Sequence, residues 1–470
     1  MQLSKTDFLH YQACNKSLWL LKHKPKIYPH KSHSNYDDKL AQEGYQVQKN
    51  VTNFLLRKNS GREYVFNQKF KTADGLFAEA DITSPNNDGS VDLYEVKSSS
   101  SISKEHLIDA TFQLITIERG GRSVNKVYIV HVNKEYVKSG DIDVGKMMSF
   151  SLVTEQVRSL EQEINVEINS ALKFLADLDI DETTCSCLKL SRGHHCDSFD
   201  YFNPNIPKPS IYNLPRIHKK KLRMFSAQGR FELDEIDESE VSGNQLSVLI
   251  AAKSNTPVID EAKIETFFEQ VKYPLYFLDY ETYSSAIPLI DGVKPYTHIP
   301  FQFSIHVKES EDATETQHHE YLAESAEFPS KMIEQLEKII STSGSLVAWH
   351  KTFENQRNQE FAHIYPEKAK FLMGLVERTI DLEDVFKDGY VDIAFGGSTS
   401  IKKVLPVIVP DLTYDGLRVA SGTDAMVAFA EMITLLPGAK RNKLRSEMLR
   451  YCKLDTLAMV RIFEKMREHV

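Results

Sequence analysis

Four prolines fall within residues 202–223, FNPNIPKPSIYNLPRIHKKKLR. Proline cannot donate to a helix or a sheet ladder, so this stretch reads as an extended connector that no continuous core can run through. A chain of 470 residues also exceeds what one ordinary core organises. The expected division is a domain over 1–200, a proline-rich connector and helical bridge over 201–270, and a second domain over 271–470.

Hydrophobic residues make up 41% of the chain, with charges interspersed, the balance of a globular protein. No apolar run has the length of a bilayer span, and the opening MQLSKTDFLHYQACNKSLWLLKHKP lacks the charged, apolar and small-residue succession of a secretory signal. A cytoplasmic protein that does not engage membranes is expected. The net charge of -9 argues against coating nucleic acid by bulk electrostatics. It agrees with an enzyme that gathers carboxylates around divalent cations and keeps local basic patches for its substrate. Such patches occur at Lys22 to Lys26, at Arg216 to Arg223 and at Lys402 with Lys403; any one alone reads as a solvated face.

In the first domain YVFNQKF, LFAEADI, VDLYEVK and KVYIVHV read as strands, and HLIDATFQLITIER as a helix between the last two. Asp81 ends the second of these strands, and Glu95 and Lys97 stand two apart near the end of the third. A hairpin would bring them to one face. Two carboxylates there can hold Mg²⁺ or Mn²⁺, and an ammonium can steady an attacking water or the developing phosphate charge. Alone, D-x13-E-x-K also describes ordinary solvated strand ends; Gln113 on the following helix and Glu43 in EGYQVQK supply context. The arrangement resembles the PD-(D/E)XK nuclease fold, in particular its RecB-like branch. That resemblance implies Asp81 and Glu95 as metal ligands and Lys97 with Gln113 as catalytic residues. Ile117 departs from it, standing where the branch often has tyrosine.

Of the five cysteines, Cys185, Cys187 and Cys196 cluster in CSCLKLSRGHHC, while Cys14 stands near the start. A reducing cytosol disfavours disulfides, so three clustered thiols read as soft ligands for a metal or cluster. Four thiolates suffice for a cubane. One early and three late cysteines resemble the RecB-like exonucleases that carry a 4Fe-4S cluster, including CRISPR-associated ones. The late spacing, C-x-C-x8-C, departs from theirs. Structural zinc therefore stays open, with four thiolates or with His194 or His195 replacing one. Cys452 reads as a buried helix residue.

The strand PLYFLDYETY carries Asp279 and Glu281 two apart among aromatic neighbours. Burying unpaired carboxylates is costly, so such a strand ends at a cation site or at the surface. Glu354 follows the strand SLVAWH at a helix start. Tyr451 and Asp455, four apart in RYCKLDTLAMV, share a helix face. Together these acids suit a two-cation site at which the Tyr451 hydroxyl holds a water. The order resembles the DEDD exonucleases of the tyrosine type, with Glu354 where aspartate is usual. LWLLKHKP, CSCLKLSRGHHC, FLDYETYSSAIPLIDGVKPYTHIPFQFSIH, GSTSIKKVLPVIVPDLTY and YCKLDTLAMV resemble, nearly end to end, a family of bacterial proteins that fuse RecB-like and RNase H-like domains. Within GSTSIKKVLP, Ser398 or Ser400 is expected to cap a helix, and Lys402 and Lys403 are candidates for phosphate contact.

The expected fold is α/β, a restriction-endonuclease-like PD-(D/E)XK domain followed by an RNase H-like domain. The expected function is a divalent-metal-dependent phosphodiesterase of nucleic acid, an exonuclease linked to repair or defence, with DNA favoured and RNA the alternative. A nucleic-acid-binding or assembly protein with one or both centres inactive is the second reading, and a protein-interaction scaffold with structural acids the third.

Overall fold

Leu3–Ser4 (β1) is followed by helices Lys5–Ala13 (α1), Asn15–His23 (α2) and Asn35–Arg57 (α3). Four strands then alternate with turns and one helix: Val65–Lys71 (β2), Leu76–Pro85 (β3), Val91–Val96 (β4), Lys104–Arg119 (α4) and Val124–Val132 (β5). Met148–Leu152 (β6) and the long helix Thr154–Ala176 (α5) complete this region of the computed structural model, which describes residues 2–30, 34–58 and 61–470. The six strands form one sheet in the order β1-β3-β4-β5-β6, with β2 also paired to β3. β3 and β4 run antiparallel, Ile82 opposite Tyr94, and β4 and β5 run parallel across α4. The hairpin expected between Asp81 and Glu95 is therefore present.

A second sheet begins at Leu275–Tyr283 (β7) and continues through Ile299–Lys308 (β8), Gln317–Leu322 (β9), Ser345–Ala348 (β10) and Thr379–Asp381 (β11). Its order is β9-β8-β7-β10-β11, the first three strands antiparallel and the last two parallel to β7. Helices Thr352–Ile364 (α6), Ile401–Ile408 (α7), Gly422–Met432 (α8) and Ala439–Arg467 (α9) carry or flank the candidate residues of this half. The protein is thus mixed α/β in both halves. Among the described residues no helix is long and apolar enough to cross a membrane.

The chain divides into two units at other places than the proline content implied. One comprises the residues up to Asn205 together with Ser285–Thr297; the other comprises Ile206–Ser284 and His298–Val470. Residues 206–270 are no free connector, because Ile211, Tyr212 and Leu214 bury their side chains between the prolines. Helices Lys219–Ala227, Asn244–Ser254 and Glu261–Phe268 follow them in the same unit.

Segment 285–297 joins the core of the first unit through Ala286, fully buried among Val47, Ile82, Tyr94, Val130 and Tyr136. Lys138 and Val293 exchange a backbone bond of 3.1 Å, and Tyr296 donates its hydroxyl to the Ser98 carbonyl. A fragment ending at Asn205 lacks this cover. It is expected to melt below the corresponding transition of the full chain, by several degrees for each kcal/mol of lost packing. Circular dichroism of the fragment against the full chain checks this, and equal melting would refute it.

Candidate metal centres

The antiparallel β3–β4 pair delivers Asp81 and Glu95, and Lys97 follows the end of β4. α4 covers them. Glu95 is buried, and its Oε1 accepts 2.8 Å bonds from both the Lys97 and the Lys5 ammonium groups. Gln113 donates to Glu95 Oε2 at 2.6 Å and to Asp109 Oδ1 at 3.0 Å, and Lys97 reaches Asp109 at 2.5 Å. Asp81 accepts from the Val96 N–H at 2.8 Å and from Gln48 at 3.2 Å. Burial alone would raise Glu95, but the charges of Lys5 and Lys97 outweigh it and hold the carboxyl at about 2. Burial and the neighbouring Glu95 charge push Asp81 up to about 7. The pair therefore divides into one charged and one readily protonated carboxyl, and Gln113 Oε1 is buried without a hydrogen-bond partner among the described residues.

All four expected residues of this centre, Asp81, Glu95, Lys97 and Gln113, converge. Glu43 does not join them; it pairs with Lys39 at 2.5 Å on its own helix, one turn away, and Gln48 is the α3 residue that touches Asp81. Lys5 and Asp109 were missed by sequence reasoning. Asp109 lies four residues before Gln113 and shares its helix face, a spacing that was legible. Lys5 was not legible, because only the parallel pairing of Leu3 with Leu76 sets the start of α1 over β4.

In the second unit Asp279 and Glu281 of β7 face a cavity of about 450 Å³, lined also by Glu354, Lys402, Tyr451 and Asp455. A register irregularity in the β7–β8 pairing directly follows Glu281. Tyr414 donates to Asp455 Oδ1 at 2.5 Å, and the Cys452 thiol points to Asp279 Oδ2 at 3.4 Å. Gly422 opens α8 against the site, where an added Cβ would stand 3.1 Å from Glu281 Oε2. Burial, reinforced by the neighbouring acids, holds Asp279, Glu281 and Glu354 well above the usual carboxylate range. Asp455 is pushed up by burial to about 6. Glu354 Oε2 is buried with no hydrogen-bond partner among the described residues.

Lys402 lowers the cost of charge on Asp279, Glu281 and Asp455, while Arg357 does so for Glu354. The Lys402 ammonium lies 5.4 Å from the Tyr451 ring centre and 5.6 Å from that of Tyr414, and donates to the Ala420 carbonyl at 2.5 Å. Lys403, one residue on, is exposed and does not line this cavity. Helix periodicity turns adjacent residues about 100° apart, so the two lysines cannot share one role. Ser400 occupies the N-cap position of α7, but its side chain makes no capping bond. Cys452 is buried as expected, yet it also touches a site acid.

The sulfurs of Cys14, Cys185, Cys187 and Cys196 lie within 4.8 Å of one another, a group that could hold a metal. Cys14 sits at the break between α1 and α2, which brings it from the chain start to the late triplet. Neither histidine joins them. His194 bonds to the Ser191 hydroxyl, and His195 bonds to the Leu190 carbonyl and stacks on Phe199 at 3.5 Å. A further ligand-capable group, His350, Asp381 and Glu383, went unread in the sequence. Asp381 accepts from the His350 and Lys351 N–H groups, and Lys387 lies 3.2 Å from Glu383. These bonds fix the turn that launches α6 and so place Glu354.

Fold and site thus define a mixed α/β protein with one thiol-rich and two carboxylate-rich candidate centres. Residues 276–400 match a family described as Domain of unknown function (DUF2779). That match contains Asp279, Glu281 and Glu354; Tyr451 and Asp455 lie beyond it. The chain is 24% identical over 399 residues to Uncharacterized protein MG366 of Mycoplasma genitalium, covering 73% of this chain and 59% of that protein. It is 28% identical over 222 residues to Uncharacterized protein MG366 homolog of Mycoplasma pneumoniae, covering 43% of this chain and 33% of that one. The chain therefore spans less than two thirds of the length of these curated relatives.

Proposed function

We propose that the protein is a cytoplasmic, divalent-metal-dependent nuclease with two separate centres, a RecB-like PD-(D/E)XK domain and an RNase H-like domain of the DEDD type. The observation that carries this reading is the second cavity. Four acids from one strand and two helices converge on it with Tyr451, three of them far above their usual range, and one buried carboxylate oxygen has no partner among the described residues. Such a set is costly without a cation. The four carboxylates supply hard oxygen donors, which suits Mg²⁺ or Mn²⁺, and the Cys452 thiol stands beside Asp279 and Glu281 as a further ligand-capable atom. The sheet order β9-β8-β7-β10-β11 and the D-x-E, E, Y-x3-D sequence support the RNase H-like assignment. The β3–β4 hairpin followed by the Gln113 helix supports the RecB-like one.

Bound Mg²⁺ or Mn²⁺ would supply Lewis acidity and offset charge on the displaced oxygen. In the second centre Asp279, Glu281, Glu354 and Asp455 would hold the cations. The Tyr451 hydroxyl, placed beside Asp455, would orient the attacking water, and Lys402 would offset negative charge at the cavity wall. In the first centre Asp81 and Glu95 would hold the cation. Lys97 would stabilise developing phosphate charge, with Gln113 and Asp109 fixing its position. DNA is the favoured substrate through the RecB-like resemblance, with RNA the alternative and exonucleolysis in repair or defence the expected setting.

At the thiols, the spacing bears on the metal. Cys185 and Cys196 sulfurs are 4.0 Å apart. Thiolates about 2.3 Å from one tetrahedral zinc stand about 3.8 Å from each other. In a 4Fe-4S cubane each thiolate holds a different iron on the outside of the cluster, so the sulfurs stand farther apart. The observed spacing favours a single structural zinc over the cluster that the resemblance implies.

Degradation of end-labelled and circular DNA and RNA in Mg²⁺ and Mn²⁺ tests the nuclease reading. Lys97→Ala is expected to abolish cleavage by the first centre, while Asp455→Ala removes that of the second, each leaving a residual activity. Loss of all cleavage with Lys97→Ala alone would reduce the second centre to a binding module. Wild-type cleavage by the double variant would refute both centres.

A further inference from the structure

Apart from the carboxylate cavity, α9 borders a second concavity of about 430 Å³, between its N-terminal half and the edge strand β9. Asn442, Arg445, Ser446, Arg450 and Lys453 line it at intervals that keep them on one helix face, about 16 Å long at 1.5 Å per residue. Arg445 donates to Glu324 at 3.1 Å. Arg450 and Lys453 are exposed and have no ion pair or side-chain hydrogen bond among the described residues.

This is unusual in its surroundings. The chain has 66 acidic against 57 basic residues, so partners are not scarce. Arg357, Arg461 and Arg467 of the same unit pair with Glu360, Asp411 and Glu311. Two unpaired cations three residues apart on one face repel each other, and an anion between them relieves that repulsion. Beneath them His318 bonds to Ser304 and stacks near His306 at 4.6 Å. Burial and the nearby Lys453 charge keep both imidazoles far below their usual range, at about 4 and about 3, so the floor is neutral near pH 7. Glu320 is the one acid among the lining residues.

We propose that this groove holds the phosphodiester backbone of a nucleic-acid strand, without reading its bases. The proposal rests on the nucleic-acid reading given above. Arginine, lysine and the neutral donors Asn442 and Ser446 are the groups that take phosphate oxygens. At about 16 Å the helix face is long enough for the two phosphates that Arg450 and Lys453 would take. It carries no Phe, Tyr or Trp on which bases would stack, so the contact is independent of sequence. Arg450 and Lys453 share turns of α9 with Tyr451 and Asp455 but stand on another face of it, so the groove and the carboxylate cavity are separate concavities joined by one helix.

The test is fluorescence anisotropy of labelled oligothymidine and oligouridine strands with the full chain in EDTA, across a salt series. Arg450→Gln with Lys453→Gln is expected to weaken binding about tenfold at low salt and to reduce the log–log salt slope by about 1.4, roughly 0.7 for each lost single-strand contact. Arg450→Lys with Lys453→Arg should retain binding, which separates charge from fold. Wild-type affinity and slope in the glutamine variant would overturn the proposal. So would displacement of the strand by polyglutamate at equal charge concentration, which would assign the groove to an acidic polypeptide. Hydrolysis of bis(p-nitrophenyl) phosphate in Mn²⁺, a substrate too small to span the groove, is expected to be unchanged in the glutamine variant. No hydrolysis by the wild type, with groove-dependent strand binding, would end the nuclease reading and leave the groove standing. Hydrolysis with groove-independent binding would do the reverse.

Discussion

In a Lys97→Ala chain, whose remaining cleavage is that of the second centre, Asp279→Asn is expected to lower cleavage by on the order of 10³-fold while stabilising the metal-free protein. Both effects have one cause. Asp279 faces the same cavity as Glu281 and Asp455, and burial with the Asp455 charge holds its carboxyl well above the usual range. A carboxyl whose folded pKa is raised keeps a proton that the unfolded chain releases. Stability therefore falls as pH rises from about 4, the unfolded value, through the folded one. For Asp455 that upper limit is about 6, and for Asp279 the shift has the same direction. Asparagine cannot ionise and escapes this loss, a gain of about 1 kcal/mol near neutral pH.

A bound divalent cation offsets the same repulsion in the wild type. The rise in melting temperature with Mn²⁺ should accordingly be larger at pH 8 than at pH 5, and smaller at both in Asp279→Asn. Differential scanning fluorimetry and the cleavage assay check the two halves. Equal Mn²⁺ stabilisation of both proteins at both pH values would remove Asp279 from the cation site.

Cys187→Ser is expected to lose the bound metal and to lower the melting of the first unit by more than about 10 °C. Apparent binding free energies of structural zinc are about 10–16 kcal/mol in small domains, and 1 kcal/mol shifts a unit of this size by about 2–4 °C. Most of the binding energy here ties α2 to the segment after α5, so several kcal/mol of stability should go with it. Metal analysis of the purified wild type should find zinc at one equivalent. Iron with acid-labile sulfide and a visible charge-transfer band would establish the cluster instead. A metal-free Cys187→Ser protein that melts with the wild type would show that the thiols do not hold the fold.

Much of this arrangement was legible because it follows local rules. Short runs rich in β-branched and aromatic residues marked β3, β4 and β7, and the two-residue spacing of Glu95 with Lys97 and of Asp279 with Glu281 put each pair on one strand face. The four-residue spacing of Tyr451 and Asp455 did the same on α9. Other parts were not legible. Nothing local tells that segment 285–297, a loop between two strands of one unit, buries Ala286 in the core of the other. The prolines of 202–223 marked a break in the chain but not its local structure, since Ile211–Asn213 forms a 3-10 turn and Lys219 opens an α-helix. They did not reveal that Ile211, Tyr212 and Leu214 would be buried between them.

The sequence by itself determined which residues carry ionisable and soft-ligand chemistry and which strand or helix face each occupies, because side-chain periodicity depends only on the backbone of one element. Tertiary structure alone decided their company: Lys5 and Asp109 around Glu95, Cys14 beside the late cysteines, and Lys402 rather than Lys403 in the carboxylate cavity. It also left Arg450 and Lys453 unpaired on one side of the helix that presents Asp455 to the cavity on another. These relations span up to 182 residues between Cys14 and Cys196, and they are set by strand pairing and core packing, which no spacing within one element encodes.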